Sequence, residues 1–421
     1  MALAALLPGA AFAQPAEANG ADTAWVLTAT ALVLFMTMPG LALFYGGLVQ
    51  RKNVLSVMMQ CIAIAAVVSL LWLAVGYSLA FDPGNAWIGG LGRAFFPASF
   101  QDALYPGLAI PEPAFFIFQM TFAIITPALI VGAYVERIKF SAVLVFSALW
   151  LLVVYAPVAH WVWGGGVLAQ QGTLDFAGGL VVHATAGISA LIIAIMLGRR
   201  DGFPGELHPP HSPGLTMIGA AMLWVGWYGF NGGSAVAANA TAASAILATH
   251  MSACAAAVTW SAIEWIRFKR PSMIGAVTGL IAGLATVTPA SGFVGPIGGV
   301  ALGVLGGGIC FYAVHLVKQI WRVDDSLDVA AVHGVGGILG TLLMAVLMSE
   351  SFGGVGYPEG QNMAGQFGAQ AMGVGLTLAW SGAATFALVW ITKALCGLRA
   401  KDDHIREGLD LSVHGERAHP D

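Results

Sequence analysis

The stretch DFAGGLVVHATAG, residues 175–187, places a histidine in the middle of an otherwise apolar segment. A second stretch, DSLDVAAVHGVGG, residues 325–337, repeats the arrangement with the same spacing from its first aspartate to its histidine. Titratable side chains inside a membrane are costly, and they usually face a cavity or a partner. The repeat therefore predicts that His183 and His333 form one paired site.

The composition decides the broad class of protein. Of 421 residues, 58% are hydrophobic and 9% charged, and the mean hydropathy is +0.81. These values exclude a soluble multidomain protein and indicate an all-α polytopic membrane protein. No basic patch with interleaved aromatic residues suggests nucleic-acid binding. The four cysteines lack CxxC spacing, so they predict neither a disulfide framework nor a thiolate metal site.

Apolar runs long enough to cross a ~30 Å hydrocarbon core predict eleven transmembrane helices. If the connecting loops alternate sides, all of the 17 basic residues except Arg93 fall on one side. The positive-inside rule then places the N-terminus outside and the C-terminus in the cytoplasm. The predicted spans lie near residues 24–50, 54–81, 114–135, 139–159, 176–198, 213–230, 242–266, 272–289, 294–317, 329–349 and 368–396.

The N-terminal sequence MALAALLPGAAFAQ has a short apolar run and an Ala-Phe-Ala step before Gln14. This pattern predicts a signal peptide over residues 1–13, with a disordered N-terminal tail as the alternative. We expect a periplasmic segment over residues 14–22, a transmembrane domain over 23–397 and a cytoplasmic tail over 398–421.

The odd number of spans favours internal symmetry, because spans 1–5 and 6–10 would enter the membrane from opposite sides. Two pairs of segments support inverted halves near residues 23–200 and 212–350, followed by a last helix near 368–396. VVHATAG pairs with AVHGVGG, and ITPA at 125–128 pairs with VTPA at 287–290. The two histidines would then lie at mirror depths along one path.

Pore lining is the leading interpretation of the histidine pair. Two neutral imidazoles can share one hydrogen bond and leave ring edges for a small polar solute. A metal site and a proton-only relay are the alternatives, but zinc needs about four ligands and no Cys or carboxylate lies at a comparable depth. We therefore predict no metal and no cofactor. His250 has no repeat twin, so helix packing is its expected role.

Three acids lie at the predicted starts of the histidine spans. A carboxylate there accepts hydrogen bonds from free backbone N–H groups and suits the positive end of the helix dipole. We predict this role for Asp175, which can also attract a cation, and for Asp325 and Asp328.

Aromatic and hydroxyl residues cluster in FIFQMTFAIITPA, HWVWGGG and GWYGFNGGS, near the outer ends of spans 3, 4 and 6. A Trp near a membrane interface is by default an anchor. The neighbouring glycines instead favour closely packed loops that form a vestibule lined by ring faces. Such a vestibule suits a monovalent cation, because each cation–π contact contributes about 0.5–2 kcal/mol.

Several segments, in order from Thr23 to Glu416, resemble those of the ammonium transporter (Amt/Mep/Rh) family, particularly its bacterial Amt branch. The resemblance implies eleven helices in two inverted five-helix halves, a homotrimer, and one conduction path in each subunit. A local difference is Met120 and Thr121, where small residues are expected, and we predict an effect on packing more than on selectivity. The segments are LFYGGLV, FQMTFA, AHWVWGGG, LDFAGGLVVH, GWYGFNGGS, VTPASG, VDDSLDVAAVHGVGG and REGLDLSVHGE.

The resemblance also implies roles for individual residues. Ammonium is recruited at an outer site, loses its proton at an aromatic gate, and passes the twin histidines as ammonia. The implied positions are Trp163, Phe122 and Ser234 for recruitment, Phe122 and Phe230 for the gate, His183, His333, Phe118, Trp227, Tyr45 and Thr288 for the pore, and Asp175 for structure and transport.

The fate of the proton stays open between neutral gas conduction and electrogenic transport. We favour net ammonium movement, because a histidine pair offers proton handling that a gas channel does not need. Potassium is excluded if deprotonation is obligatory.

The sequence predicts a transporter and not an enzyme. We expect it in the bacterial inner membrane, in contact with membrane lipid. For the tail, the resemblance implies an ordered segment and inhibition by a PII-family signal protein. The alternative is an ammonium sensor that signals through this tail and a PII-type partner.

Overall fold

The computed structural model describes residues 17–205 and 209–418. Within these ranges the chain is helical and forms no strand, with only two isolated β-bridges, Leu104 to Pro111 and Ile138 to Arg399. The all-α prediction is therefore confirmed. The predicted signal peptide lies outside the described residues.

Nine helices in the described part are long and apolar enough to cross a membrane. Their bounds agree with the predicted spans within a few residues, except that the fourth range includes a separate short helix, Val167–Gln170, which follows the Gly triplet at residues 164–166. They are α1 (Gly20–Leu48), α2 (Arg51–Phe81), α3 (Glu112–Tyr134), α4 (Phe140–Gln170), α5 (Gly179–Leu197), α7 (Ala240–Phe268), α9 (Pro296–Ile320), α10 (Ala330–Leu347) and α11 (Met363–Cys396).

The two remaining predicted spans fall on shorter helices. These are α6 (Pro213–Trp227), which continues into a π-helical turn over Tyr228–Gly232, and α8 (Met273–Val287). α8 has 15 residues, fewer than the ~20 needed for a complete crossing, whereas α6 has 15 residues and reaches that length only with the 5 residues of its π-helical turn. The count of eleven membrane spans thus stays a prediction.

The predicted basic side is brought together at one end of the bundle. Buried Arg137 donates hydrogen bonds to the carbonyl oxygens of Gly198 and Asp324, and Arg200 binds Asp324 and Glu136. Burial alone would raise the pKa of Asp324. The paired Arg200 lowers it by more, so the pKa of Asp324 lies below its ordinary value. These contacts join the connections after α3, α5 and α9, so the alternation of loops inferred from charge agrees with the packing. Which end faces the cytoplasm follows from the charge rule alone.

Arg93, the basic residue assigned to the opposite side, lies in the connection between α2 and α3. It is 6% exposed and pairs with Glu112 at the start of α3 and with Asp82. Its guanidinium carbon also lies 4.9 Å from the ring centroid of Phe100 and 5.6 Å from that of Tyr105. The ion pair therefore fixes the long loop at this end to the helix that follows it.

Helices α5 and α10 begin with π-helical turns, Gly179–Ala184 and Ala330–Gly334, which carry the two predicted pore histidines. The wider π turn re-aims side chains, and it occurs often at functional sites. The helices cross at a backbone contact, because a Cβ added to Gly187 would lie 2.1 Å from the Cα of Gly334. Only glycine permits this approach, which brings the histidine turns together.

The tail packs on the start of α2. It contains two short helices, α12 (Asp402–Glu407) and α13 (Leu409–His414). The Asp410 carboxylate accepts hydrogen bonds from the backbone N–H groups of Leu55 and Ser56, at 3.1 and 2.7 Å. Lys52 donates to the carbonyl oxygens of Ile405 and Arg406. The tail implied by the resemblance thus contains helices over residues 402–407 and 409–414 that contact the start of α2.

Candidate functional site

A cavity of about 340 Å³ opens at the end of the bundle opposite the tail. We call it the outer cavity. The three residues predicted for cation recruitment all line it, together with aromatic and aliphatic residues of α3 and the loops. Its lining residues are Tyr105, Pro106, Leu108, Phe115, Gln119, Phe122, Val162, Trp163, Phe176, Ser234 and Val236.

Ring faces and one hydroxyl dominate the recruitment residues. The rings of Trp163 and Phe122 meet edge to face, with centroids 5.9 Å apart at 88°. The indole N–H of Trp163 donates to the carbonyl oxygen of Asp175 at 2.8 Å, which fixes the plane of the indole ring. The Ser234 hydroxyl donates to the carbonyl oxygen of Phe230 at 2.8 Å. The cavity can therefore offer both π-electron density and oxygen lone pairs to a cation.

The floor of the outer cavity is closed by the two phenylalanines predicted as a gate. The rings of Phe122 and Phe230 have centroids 4.2 Å apart and are tilted by 30°. Both side chains are buried, and Phe118 packs edge-on against Phe122 with centroids 5.1 Å apart. A stack this close leaves no space for a hydrated ion between the rings.

The predicted histidine pair lies directly beneath the Phe122–Phe230 pair. The Nδ1 atoms of His183 and His333 are 3.3 Å apart, and the ring planes differ by 23°. One Nδ1 must donate and the other accept, so Nδ1 carries a proton in one ring and none in the other. The His183 ring also stacks on Trp227 and Phe230, with centroids 5.5 and 6.1 Å apart. Its Nε2 atom is buried and has no hydrogen-bond partner among the described residues.

The other predicted pore residues occupy two different places. The Trp227 indole N–H donates to Thr288 Oγ1 at 2.9 Å, so Thr288 orients a ring that touches the histidine pair. Tyr45 donates its hydroxyl to the carbonyl oxygen of Leu129 at 3.0 Å. It lines a second cavity of about 230 Å³, the inner cavity, which His333 also lines. The pair thus lies between the gate and the inner cavity.

Asp175 caps the turn that carries His183. Its two carboxylate oxygens accept hydrogen bonds from four consecutive backbone N–H groups, at 2.7 to 3.2 Å. Four such bonds satisfy the N–H groups left free at a helix start. The carboxylate is 6% exposed and does not line the outer cavity, although its backbone holds Trp163. The donors come from Gly178, Gly179, Leu180 and Val181.

The acids at the start of α10 differ from each other. One Asp325 oxygen accepts from the backbone N–H of Ala330 at 2.7 Å, which is the expected capping geometry, while the other has no described partner. Asp328 instead pairs with Lys318 at 2.7 Å on the wall of the inner cavity. Capping by the Asp328 side chain is therefore replaced by an ion pair.

His250 is held by its neighbours, as the packing interpretation expects. Its Nδ1 atom lies 2.7 Å from the Tyr228 hydroxyl, and its ring stacks on Trp224. Among the described residues, no three His, Cys, Asp or Glu side chains are grouped so that they could hold a metal ion.

Sequence reasoning missed Gln119 and the outer aromatic wall. Tyr105 stacks on Phe115 with centroids 3.7 Å apart, and both line the outer cavity. A helical-face analysis could have found Phe115 and Gln119, because they precede Phe122 at i−7 and i−3 on one stripe of α3. Tyr105 carries no such signal, since it reaches the cavity through a loop.

The fold and the site define a multi-pass helical membrane protein with two cavities separated by a closed aromatic pair and a histidine pair. The model of the Ammonium Transporter Family matches residues 24–419. The chain belongs to the ammonium transporter family, as the sequence segments indicated. Family membership gives no sign of enzyme activity.

Curated relatives and solved structures agree with this membership. An ammonium transporter of Bacillus subtilis (strain 168) is 44% identical, covering 95% of this chain and 98% of that protein. One of Aquifex aeolicus (strain VF5) is 43% identical, covering 97% and 96%. A structure titled Sensor Amt Protein has a TM-score of 0.87 at 30% identity, covering 93% and 98%. That of Saccharomyces cerevisiae Mep2 has a TM-score of 0.84 at 34% identity, covering 94% and 92%.

Proposed function

We propose that the protein takes up ammonium across the bacterial inner membrane and conducts it as ammonia past the histidine pair. One observation carries the proposal. The outer cavity, the Phe122–Phe230 pair and the His183–His333 pair are stacked in this order, and successive members are in ring contact. This order is what recruitment, deprotonation and conduction require.

Recruitment takes place in the outer cavity. The faces of Trp163 and Phe122 attract a monovalent cation, and the Ser234 oxygen accepts one N–H. A fully hydrated cation cannot enter an apolar stack without paying its desolvation cost, so the proton leaves before or at the gate. Potassium has no proton to lose and is excluded.

Conduction follows the histidine rings to the inner cavity. Ammonia can both donate and accept hydrogen bonds, so it can interact with an imidazole lone pair and with an imidazole N–H. The unpaired Nε2 atom of His183 supports this role. We favour net ammonium movement, with the proton crossing by way of the histidine pair.

The finer assignments rest on the family and on the sequence. They are a homotrimer of subunits with eleven spans in two inverted halves, a periplasmic N-terminus after signal cleavage, and a cytoplasmic C-terminus. Lipid covers exposed apolar side chains such as Val258 and Ile266. A PII-family protein would bind at the cytoplasmic face, where the ordered tail and the inner cavity lie.

A sensor that signals through its tail is the second candidate. Two observations favour it, namely the likeness to a structure titled Sensor Amt Protein and the contacts that join the tail to Lys52 and Asn53. A sensor would keep substrate binding while its signalling depended on the tail. Measuring methylammonium binding and uptake with the full-length protein in proteoliposomes separates the two, because a transporter shows uptake and a sensor whose pore is not used shows binding alone.

The proposed function is tested with proteoliposomes that take up methylammonium while the current is recorded. The wild type is compared with His183→Ala, His333→Ala and Asp175→Ala. We expect uptake to fall at least about tenfold in both histidine variants, because each variant lacks one of the two imidazoles that share the hydrogen bond. Undiminished uptake in both would contradict the path. Uptake without current would assign neutral ammonia as the transported species.

A further inference from the structure

The wall of the outer cavity contains a polar side chain to which neither the motifs nor the mechanism above gives a role. Gln119 lies on α3 four residues after Phe115 and three before Phe122, and all three line the cavity. Residues at these spacings share one helix face. With a rise of about 1.5 Å per residue, Gln119 lies roughly one turn outward from the gate.

The Gln119 carboxamide has an unused acceptor. Its Oε1 atom is buried and has no hydrogen-bond partner among the described residues, and the residue is 8% exposed. Leaving a buried carbonyl oxygen without a donor costs free energy, so such groups are usually paired. The terminal torsion of a glutamine is soft, and a turn about it can direct the oxygen into the cavity.

Ser234 supplies a second acceptor in the same cavity. Because its hydroxyl hydrogen is donated to the Phe230 carbonyl oxygen, the lone pairs of its oxygen remain available. The cavity therefore offers two oxygen acceptors and the ring faces of Trp163 and Phe122. An ammonium ion presents four N–H groups in a tetrahedron, so it can direct two to oxygens and two to rings.

We infer that Gln119 is a cation-binding residue of the outer cavity, whose carboxamide oxygen accepts one N–H of ammonium or of a primary alkylammonium ion. The inference rests on the proposed function and extends it. A packing role would not explain the side chain, because packing leaves the oxygen without a donor. Binding of the cation supplies that donor in the recruitment step, where the substrate is charged.

The test measures methylammonium uptake against concentration in proteoliposomes carrying the wild type, Gln119→Met, Gln119→Glu and Gln171→Leu. Methionine keeps the length of the side chain and removes the acceptor. Glutamate keeps the acceptor and adds negative charge. Gln171 is an exposed glutamine at the same end of the bundle that does not line the cavity, so it is the matched control.

We expect Gln119→Met to raise the half-saturating concentration about tenfold or more, as for the loss of a hydrogen bond to a charged group. The maximal rate should stay within about twofold, since the gate and the histidines are untouched. Gln119→Glu should lower the half-saturating concentration at pH 7, and Gln171→Leu should leave it unchanged. This separation of concentration dependence from rate distinguishes binding from a structural role.

An unchanged half-saturating concentration in Gln119→Met overturns the inference, as does a loss of maximal rate alone. If Gln119→Met does not fold, Gln119→Glu tests the inference alone. A half-saturating concentration for Gln119→Glu that is equal to or higher than that of the wild type overturns the inference. Absence of uptake by the wild type would contradict the proposed function instead. The two failures are thus distinguishable.

Discussion

Gly187 and Gly334 bring two transmembrane helices into backbone contact beside the histidine pair. A Cβ at Gly187 would lie 2.1 Å from the Gly334 Cα and 2.4 Å from its nitrogen, and neither backbone atom can move aside alone. The 3.3 Å separation of the two histidine Nδ1 atoms depends on this crossing, because the rings project from the adjoining π turns. The histidine geometry is therefore set by residues that carry no chemistry.

The first prediction concerns this crossing. Gly187→Ala should separate α5 from α10, lower the stability by about 1–3 kcal/mol and reduce methylammonium uptake. Gly375→Ala is the control, since a Cβ at this α11 position meets open space. Thermal midpoints in detergent and uptake in proteoliposomes measure the two effects. Equal midpoints for the two variants would show that the contact is not tight.

The second prediction concerns the acid that begins α5. Asp175→Asn keeps one acceptor oxygen and replaces the other by an NH₂ group. In the wild type that second oxygen accepts hydrogen bonds from the backbone N–H groups of Leu180 and Val181, which the NH₂ group cannot do. We expect a loss of about 1–3 kcal/mol for the unpaired donors and reduced uptake. Asp102→Asn, an exposed loop substitution, should change neither thermal midpoint nor uptake. A variant at Asp175 with wild-type stability would argue that capping is not its main role.

The third prediction concerns the tail. Asp410→Asn should weaken the cap on the start of α2 by about 0.5–2 kcal/mol and release the tail. Faster hydrogen exchange at residues 402–414 would report the release. Asp403→Asn is the control, because this residue of α12 is exposed and lies in the first turn of the other tail helix. Unaltered exchange in Asp410→Asn would mean that Lys52 and Asn53 hold the tail without the carboxylate.

The fourth prediction concerns pH. Burial and the neighbouring Asp328 raise the pKa of Asp325 to about 6, against the opposing effect of Lys318. Between pH 4 and 6 the folded protein therefore binds more protons at this site than the unfolded chain, and stability falls as the pH rises. Asparagine cannot ionise.

Asp325→Asn should accordingly gain in thermal midpoint relative to the wild type when both are moved from pH 5 to pH 7. The difference between the two proteins at each pH is the quantity to measure, since it cancels other titrating groups. A difference that is constant across this range would place the pKa of Asp325 outside it.

Much of the architecture follows from hydropathy and charge. The apolar runs locate the helices, because burial in lipid requires length and apolarity wherever a span occurs. The short helix α8 departs from this rule, since protein neighbours can replace lipid around a helix of 15 residues. The π turns at Gly179–Ala184 and Ala330–Gly334 have no sequence signature, because they depend on how two helices meet.

The same distinction applies to the site. Trp163, Phe122 and Ser234 could be placed in one cavity from motifs that lie far apart in sequence. The unpaired oxygen of Gln119 and the pairing of Asp328 with Lys318 could not, because both depend on which side-chain atoms find partners in three dimensions. Sequence patterns identify residue types, and packing decides which of their atoms stay unsatisfied.

The closed stack of Phe122 and Phe230 has a consequence for the energy balance of the cell. With centroids 4.2 Å apart, the rings are too close for a water molecule to lie between them, so no column of water joins the two cavities at this point. A membrane containing many copies of the protein would therefore not leak hydrated ions such as sodium or potassium between these rings. The gradients of these hydrated ions are then kept, whatever charge accompanies the transported substrate.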